Sequence, residues 1–399
     1  MSLALLGLIL AKYLSVEEFG VTRTVASYMV VLTMFGHMTI HDAIATHVAS
    51  TENNRAKSQY VIHGSLIVIV LSTLLATAFH FFVINSGMWT GLTRELLATV
   101  VLILPFECLS IVIMSLLNAS GKIHTMAFFS VVCGAVPLGI IAPCAALWGI
   151  NGWITARLVS CCIVFGLGVY LVRDYICICR MDIPKVLELI RFSRVQFVSG
   201  ALSTVMLSGD IIALERLTRD SREVGQYGLA VLFSRPLAFI PAALGKLYFK
   251  EIASRGRDVE RQWDSIGRLL MLTLGASSLF ASLIFFFGES ILRILYGTQY
   301  QAGARVLEIL SVSIIFSGLW SAMSTTNIAL KEPSFSVMTS IIGLIVGASM
   351  FALFVPTAGA AGAAWSINTA YSTGCVIGLA LLWKKWHSSK TLLGMPRVP

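Results

Sequence analysis

The sequence predicts an all-α integral membrane protein of about twelve transmembrane helices, the first of them truncated, in two parallel six-helix bundles around a central cavity. The first observation is composition: the 399 residues are 57% hydrophobic and 12% charged, with a mean hydropathy of +0.84. The second is that the apolar runs are long enough to cross a bilayer as helices, which satisfy their own backbone hydrogen bonds. The third is an internal repeat.

The repeat consists of three landmarks that recur in the same order, 208 to 210 residues apart. They are Phe19-Gly20 and Tyr227-Gly228, the segments 118–122 and 327–331, and the glycine pairs Gly149/Gly152 and Gly359/Gly362. Duplicated helical halves are typical of transporters that open alternately to the two sides of a membrane. Because six helices per half is an even number, both halves are expected to enter from the same side, with the pseudo-twofold axis along the membrane normal.

Windows of about 20 residues predict where the chain crosses the membrane. In the first half the predicted spans are 23–48, 60–84, 96–117, 124–147 and 151–172. In the second half they are 195–215, 224–249, 267–288, 303–329, 334–355 and 361–383. The segment from Met1 to Leu14 is also apolar, but it rises only about 21 Å against a hydrocarbon core of about 30 Å. We therefore interpret it as a truncated first helix.

The predicted domains are a six-helix bundle over 1–180, a cytoplasmic linker over 181–193, and a second bundle with a cytoplasmic tail over 194–399. Most Lys and Arg residues outside the spans lie in one set of alternate loops, which includes 173–194 and 250–268. The positive-inside rule places that set, and both termini, on the cytoplasmic side of the membrane. The net charge of +9 is then a topology signal and not a nucleic-acid footprint.

Two shorter segments have amphipathic patterns. Within the linker, 183–190 fits either a short surface helix with Pro184 in its first turn or a flexible charged connection. Segment 289–304 contains a break at Gly297 and is predicted to lie at the opposite membrane interface.

Ionisable residues inside apolar spans are the candidate site, because each costs about 2.5–3.5 kcal/mol at mid-membrane. Three of them are cations. Arg157 follows the Gly149/Gly152 turn, Arg235 lies beside Pro236, and Lys246 lies near the cytoplasmic end of the same span as Arg235. Each fits two interpretations: it binds a substrate phosphate in a cavity, or its long side chain reaches outward to the lipid head groups.

Two acidic residues in the spans are candidates for ion coupling. Asp210 lies in the seventh predicted helix and Glu107 in the fourth. Either side chain fits binding of a coupling proton or cation, and either fits an ion pair with Arg235 or Arg157. Such a pair would serve structure alone.

A polar cluster of His37, His41, Asp42 and His47 lies in the second predicted helix. The four-residue spacing predicts that His37 and His41 share one helical face. We interpret His41 and Asp42 as part of a hydrated cavity face, with a water-facing helix end as the alternative. A zinc site needs further converging ligands, which the sequence does not supply, so no metal and no cofactor are predicted.

Catalytic and nucleotide-binding motifs are absent from the sequence: it has no P-loop, no H-E-x-x-H and no G-x-S-x-G. A membrane glycan polymerase or ligase needs an exposed catalytic loop, and no long outer loop carries clustered charges. The sequence therefore does not predict an enzyme.

Loose motifs that mark turns and helix packing run along the whole chain: Leu14-Ser-Val-Glu-Glu-Phe-Gly20, Val224-Gly-Gln-Tyr-Gly-Leu-Ala230, Leu295-Tyr-Gly-Thr-Gln-Tyr300 with Val306-Leu-Glu-Ile-Leu310, and Ala358-Gly-Ala-Ala-Gly-Ala-Ala-Trp365. Together they resemble the Wzx-type oligosaccharide flippases, or O-antigen translocases, of the multidrug/oligosaccharidyl-lipid/polysaccharide exporter superfamily. The chain departs from that pattern in its short first helix and in His47, where the family pattern has Arg or Lys.

The resemblance implies that the chain moves undecaprenyl-pyrophosphate-linked oligosaccharide to the outer leaflet of the inner membrane, for O-antigen, lipopolysaccharide or another surface polysaccharide. It implies the lipid-linked glycan and the bilayer as partners, with a polysaccharide polymerase and a chain-length regulator beside them. One alternative is a cation-coupled multidrug exporter of the same superfamily, which would favour an acidic, aromatic cavity. Another is a peptidoglycan-precursor flippase, whose relatives usually have fourteen helices.

Overall fold

The computed structural model describes residues 2–51, 53–89, 91–175, 182–237, 239–254, 259–330 and 332–392. In these ranges every regular element is a helix, so the predicted all-α class is confirmed. The chain forms two compact units, Met1–Ile212 and Ala213–Pro399. The boundary between the units falls inside a long helix, α8, so the first part of that helix belongs to the first unit.

The first unit begins with the short helix α1, Ser2–Tyr13, and the elements that follow it are longer. They are α2 (Val16–His37), α3 (Ile40–Ser50), α4 (Asn54–Asn85), α5 (Gly91–Val100), a 3-10 turn (Val101–Ile103), α6 (Leu104–Ala119), α7 (Ile123–Val172) and a 3-10 turn (Arg173–Tyr175). The second unit takes the end of α8 (Ile183–Thr218), then α9 (Ser221–Leu237), α10 (Phe239–Ser254), α11 (Val259–Tyr296), a 3-10 turn (Gly297–Tyr300), α12 (Gln301–Ala329) and α13 (Pro333–Leu392).

Seven segments of the described residues are long and apolar enough to cross a membrane: Val16–His37, Arg55–Asn85, Gly91–Ala119, Ile123–Tyr175, Gln196–Thr218, Glu260–Ala329 and Ser334–His387. Three of them run to 53, 70 and 54 residues, which is longer than one crossing requires. Each of the three is divided by a glycine with a positive φ, namely Gly149, Gly297 and Gly359. The seven segments are therefore long enough for more than seven crossings.

The two positions of each repeated glycine pair need glycine for different physical reasons. Gly149 and Gly359 have φ of 59° and 51°, a conformation that side-chain-bearing residues rarely adopt. Gly152 and Gly362 instead lie against backbone: a Cβ at Gly152 would collide with the carbonyl of Cys144, and a Cβ at Gly362 with that of Phe354. In each unit one glycine makes the sharp turn, and the second lets the returning helix approach the helix before it.

The aromatic landmark of the repeat, Phe19 and Tyr227, packs in the core of each unit. Phe19 on α2 and Tyr227 on α9 are both fully buried, each three to six residues into its helix. Large aromatic side chains at this depth contribute much of the apolar burial that holds helices together. These two aromatic residues, which the sequence repeat aligns, therefore occupy equivalent buried positions in the two units.

The predicted break at Gly297 is confirmed, because residues 289–304 hold the end of α11, the 3-10 turn Gly297–Tyr300 and the start of α12. One of the predicted spans is wrong. The span predicted over 23–48 is two helices, because Met38 and Thr39 adopt positive φ of 43° and 55° and end α2. Windowed hydropathy averages across such breaks and cannot locate them.

The segment 183–190 is helical, as one of its two interpretations predicted, but it is not a short isolated helix. It forms the first turns of the 36-residue α8. Its polar side chains contact α4 and the end of α3, so the linker packs against the first unit.

Candidate functional site

An ion pair inside the apolar segments joins α6 and α7 of the first unit. Glu107 lies in the first turn of α6, just after Pro105, and Arg157 lies on α7 two turns beyond the Gly149 break. Arg157 Nη2 donates a hydrogen bond to Glu107 Oε1, and the two side chains are 22% and 20% exposed. The predicted alternative of an ion pair between these residues is confirmed.

This pairing determines what either charge can do. Two opposite charges in contact lower the cost of keeping both in an apolar environment, and breaking the pair leaves the other charge uncompensated. An incoming phosphate would compete with Glu107 for the guanidinium, and a proton on Glu107 would release it. The pair is therefore suited either to holding the helices together or to exchanging a carboxylate for an anionic ligand.

The histidine cluster forms a second polar region of the first unit, made of His37, His41, Asp42 and Gln196. The rings of His37 and His41 meet edge to face with centroids 4.5 Å apart. His41 Nε2 lies 3.4 Å from Asp42 Oδ1, and Gln196 Nε2 donates to Asp42 Oδ2 over 3.3 Å. His37 is 6% exposed, and its Nδ1 accepts from the backbone N–H of Thr39 at 3.0 Å.

The predicted proximity of His37 and His41 is confirmed, but the reason for it is wrong. The residues do not share a helical face, because α2 ends at His37 and α3 begins at Ile40. The two rings meet across that break. The chain turn at Met38-Thr39 is what brings them together.

Sequence reasoning missed the linker contact, which joins α3 and α4 to the start of α8 through His47, Tyr60, Lys185 and Glu188. The ring of His47 stacks on Tyr60 with centroids 4.7 Å apart and an interplanar angle of 9°. Tyr60 donates its hydroxyl to Glu188 at 3.0 Å, and His47 Nδ1 lies 3.8 Å from the same carboxylate. Lys185 lies over the Tyr60 ring, 5.5 Å from its centroid. The only signal in the sequence was the amphipathic pattern of 183–190, which does not identify a partner.

The remaining candidates lie on α8, α9 and α10. Asp210 is 4% exposed on α8 in the first unit, within an apolar segment. Arg235 lies in the last turn of α9 in the second unit, where its side chain is half-buried. Lys246 lies on α10, and its side chain falls outside the described residues.

Over the ranges that the structure describes, no three His, Cys, Asp or Glu side chains converge closely enough to hold a metal ion.

The comparisons with known proteins agree on the type of protein. A family model described as "Polysaccharide biosynthesis protein" matches residues 9–305. No curated protein sequence matches the chain.

Among solved structures, a multidrug resistance transporter of the MATE family, in the MOP superfamily, matches with a TM-score of 0.79 at 15% identity, covering 98% of this chain and 96% of its own. The lipid II flippase MurJ matches with a TM-score of 0.78 at 16% identity, covering 95% of this chain and 85% of its own. A MOP-superfamily transporter from Pyrococcus furiosus matches with a TM-score of 0.58 at 14% identity, covering 98% and 95%. At these identities the likeness concerns the fold, which is that of a multi-pass membrane transporter.

Proposed function

Because the chain belongs to the family of polysaccharide biosynthesis proteins, we propose that it flips a lipid-linked oligosaccharide across a membrane. The specific cargo we propose is the undecaprenyl-pyrophosphate-linked repeat unit of O-antigen, lipopolysaccharide or another bacterial surface polysaccharide. The observation that carries this proposal is the family match over residues 9–305, on a chain whose fold resembles both a flippase and an exporter.

The chemistry of such a cargo explains why a membrane protein would keep charges in its spans. The lipid tail can stay in the bilayer, whereas the sugar hydroxyls and the pyrophosphate must cross it. Hydrocarbon costs several kcal/mol for each polar group that lacks a hydrogen bond. A flippase must therefore offer polar and cationic groups along the path of the head.

We assign the first phosphate contact to Arg157. Its guanidinium, which donates one hydrogen bond to Glu107 in the structure, can bind a phosphate through two parallel hydrogen bonds. When Glu107 takes up a proton, Arg157 becomes available for the pyrophosphate, and when the proton leaves, the carboxylate displaces the cargo. This exchange makes Glu107 the ion-coupling residue of the first unit, and a proton gradient across the membrane supplies the energy of the cycle.

The other candidates have subsidiary roles in the proposal. Arg235 and Lys246 are further cationic contacts for the substrate, and His41 and Asp42 are polar contacts for the sugar. Asp210 is a second candidate for ion coupling. The protein acts without a cofactor and without catalysing a covalent change, in the bacterial inner membrane with both termini in the cytoplasm. It works beside a polysaccharide polymerase and a chain-length regulator.

A cation-coupled multidrug exporter is the second candidate function. It is favoured by the likeness in fold to the MATE-family transporter, with a TM-score of 0.79. For such a cargo Glu107 would be the contact for the substrate, and Arg157 would only hold the carboxylate in place. A flippase therefore needs Arg157 to contact its substrate, whereas an exporter needs Glu107 to do so.

The test is complementation in a bacterial strain that lacks its own O-unit translocase and carries the cognate glycan pathway of this protein. The variants are Arg157→Gln and Glu107→Gln, with Lys122→Gln as the control. Lys122 forms an ion pair with Asp174 at 3.4 Å on an exposed helix end. Its substitution therefore also removes a cation from an ion pair, but outside the apolar segments. Surface polysaccharide and lipid-linked units on the inner face are measured, together with protein level.

We expect wild type and Lys122→Gln to restore surface polysaccharide, and Arg157→Gln to leave lipid-linked units on the inner face at normal protein level. Full rescue by Arg157→Gln would overturn the assignment of that residue. Absence of rescue by well-expressed wild type, with drug resistance gained and lost in Glu107→Gln, would identify the exporter instead.

A further inference from the structure

A groove lined by three tryptophans lies between the start of α11 and the end of α13, both in the second unit. We call it the tryptophan groove, and define it by Trp263, Trp383, Trp386, Glu260 and Asp264, which all line one cavity of about 830 Å³. On α11 the lining residues recur every three to four positions, so one face of that helix forms a wall of the groove. The groove is large enough for part of a lipid-sized ligand.

The position of the groove along the membrane follows from the apolar segments that form it. The predicted span 267–288 begins three residues after Asp264, and the predicted span 361–383 ends at Trp383, with Lys384 and Lys385 directly after it. The aromatic and acidic end therefore lies at the level of the lipid head groups. Leu270 and Leu379 line the same cavity further in, and ten residues from Glu260 to Leu270 span about 15 Å of helix. The cavity thus runs from head-group level into the hydrocarbon.

The charge in the groove selects the kind of head group. In the part of the chain that the structure describes, Glu260 and Asp264 take part in no ion pair, and both side chains are exposed. Carboxylates repel the phosphates of anionic lipids and attract an ammonium group. Indole faces add to that attraction, because Trp is the best aromatic partner for an organic cation. Tryptophans at a membrane interface are common, and the cavity and the two carboxylates set these three apart.

We propose that the tryptophan groove binds one ammonium-headed phospholipid of the surrounding bilayer. Glu260 and Asp264 hold the ammonium against the indoles, and an acyl chain lies along Leu270 and Leu379. Trp263 is packed from behind by the two buried clusters of the second unit, which fixes its ring as one wall. This lipid is a bound component of the transporter and does not depend on which cargo the protein moves.

A larger side chain at position 267 can fill the groove while Glu260 and Asp264 stay unchanged. Gly267 lines the cavity between Asp264 and Leu270, and a Cβ placed there meets nothing within 4 Å. A leucine at 267 would fill this space with little strain. Gly275 lies two turns further along α11, also has nothing within 4 Å of an added Cβ, and does not line the cavity. It is the matched control.

The experiment is native mass spectrometry of the purified full chain, titrated with short-chain phosphatidylethanolamine or phosphatidylglycerol. The charge variant is Glu260→Gln with Asp264→Asn, and its control is Glu289→Gln, an exposed carboxylate near the other end of α11. The space-filling variant is Gly267→Leu, with Gly275→Leu as control. A further arm adds ethanolamine, which has the head group without the tails.

We expect wild type to retain one phosphatidylethanolamine about ten-fold more tightly than phosphatidylglycerol, the sum of several weak cation contacts. The charge variant and Gly267→Leu lose that preference, and both controls keep it. Equal retention of the two lipids by wild type, or an unchanged preference in the charge variant, overturns the proposal. Displacement of the lipid by ethanolamine at a similar concentration also overturns it, because the tails would then contribute nothing.

Discussion

The two units make the same sharp turn with different side-chain support. In the first unit Gly149 turns α7, and the nearest side chain is Glu18, whose Oε1 would lie 3.7 Å from an added Cβ. In the second unit Gly359 turns α13, and Glu223 lies much closer, with Oε2 accepting the backbone N–H of Ala360 at 2.7 Å. The backbone geometry is repeated, whereas the carboxylate that meets it differs.

The two carboxylates also come from different positions of the repeat. When Phe19 is aligned with Tyr227, Glu18 corresponds to Gln226 and Ser15 to Glu223. Glu18 is engaged in a capping box at the start of α2, where its carboxylate accepts from the N–H and the hydroxyl of Ser15, each at 3.0 Å. In the second unit Gln226 instead accepts the N–H of Gly303 at 2.7 Å. The duplicated fold preserves the turn, while the hydrogen bonds around it have been redistributed.

The largest effect is expected at Gly152 and Gly362, where the returning helix lies against the backbone of the helix before it. Substitutions there test whether both units need this close approach. Gly152→Ala and Gly362→Ala would each force a Cβ into a backbone carbonyl, which cannot move as a side chain can. We expect each to destabilise its unit by about 3 kcal/mol or more, seen as a lower melting temperature of the detergent-purified protein.

Gly139→Ala and Gly166→Ala are the controls, because both lie on α7 with nothing within 4 Å of an added Cβ. They should leave the melting temperature unchanged or raise it, since alanine favours helix. If either substitution at the close approach melts like its controls, the two units do not share this requirement.

A smaller effect should distinguish the two turns from each other. Gly149→Ala and Gly359→Ala both place a side chain at a positive φ, which costs about 1–3 kcal/mol. At Gly359 the new Cβ would also lie 2.6 Å from Glu223 Oε2 and 2.9 Å from its Cδ, whereas Gly149 has no such neighbour. Gly359→Ala should therefore lower the melting temperature more than Gly149→Ala. Equal losses would mean that Glu223 moves aside without cost.

The smallest loss of stability is expected when the carboxylate of Glu223 or Glu18 is removed. Glu223→Ala removes the acceptor of the Ala360 N–H, where the returning part of α13 begins, and should cost about 1–2 kcal/mol. Glu18→Ala breaks an exposed capping box and should cost about 1 kcal/mol or less. The double variant tests additivity by the same thermal melts. A larger loss in Glu18→Ala would reverse the ranking and make Glu18 the stronger support.

Much of the fold was predictable because hydropathy and glycine positions are local signals. The apolar windows located the helices, and the Gly149/Gly152 and Gly359/Gly362 pairs predicted the two turns. The break at Met38-Thr39 was not predictable, because neither residue is Gly or Pro and the strain is held by tertiary contacts. The same holds for the contact of Glu188 with Tyr60, since a partner 128 residues away leaves no mark in the local pattern.

For the candidate site, the sequence identified the charged residues but not which of them contact each other. Glu107 and Arg157 each had more than one possible partner in the sequence. Which acid meets which base depends on how α6 and α7 pack, and the structure selected the Glu107–Arg157 pair.

The turn at Gly149 has a consequence for how the protein is made. Ile123–Tyr175 is one apolar segment of 53 residues, and no hydrophilic loop separates its two helices. During synthesis the insertion machinery receives no polar stretch at which to pause or to reverse the chain. We therefore expect the two helices to enter the bilayer together as one hairpin, so that neither takes its orientation independently of the other.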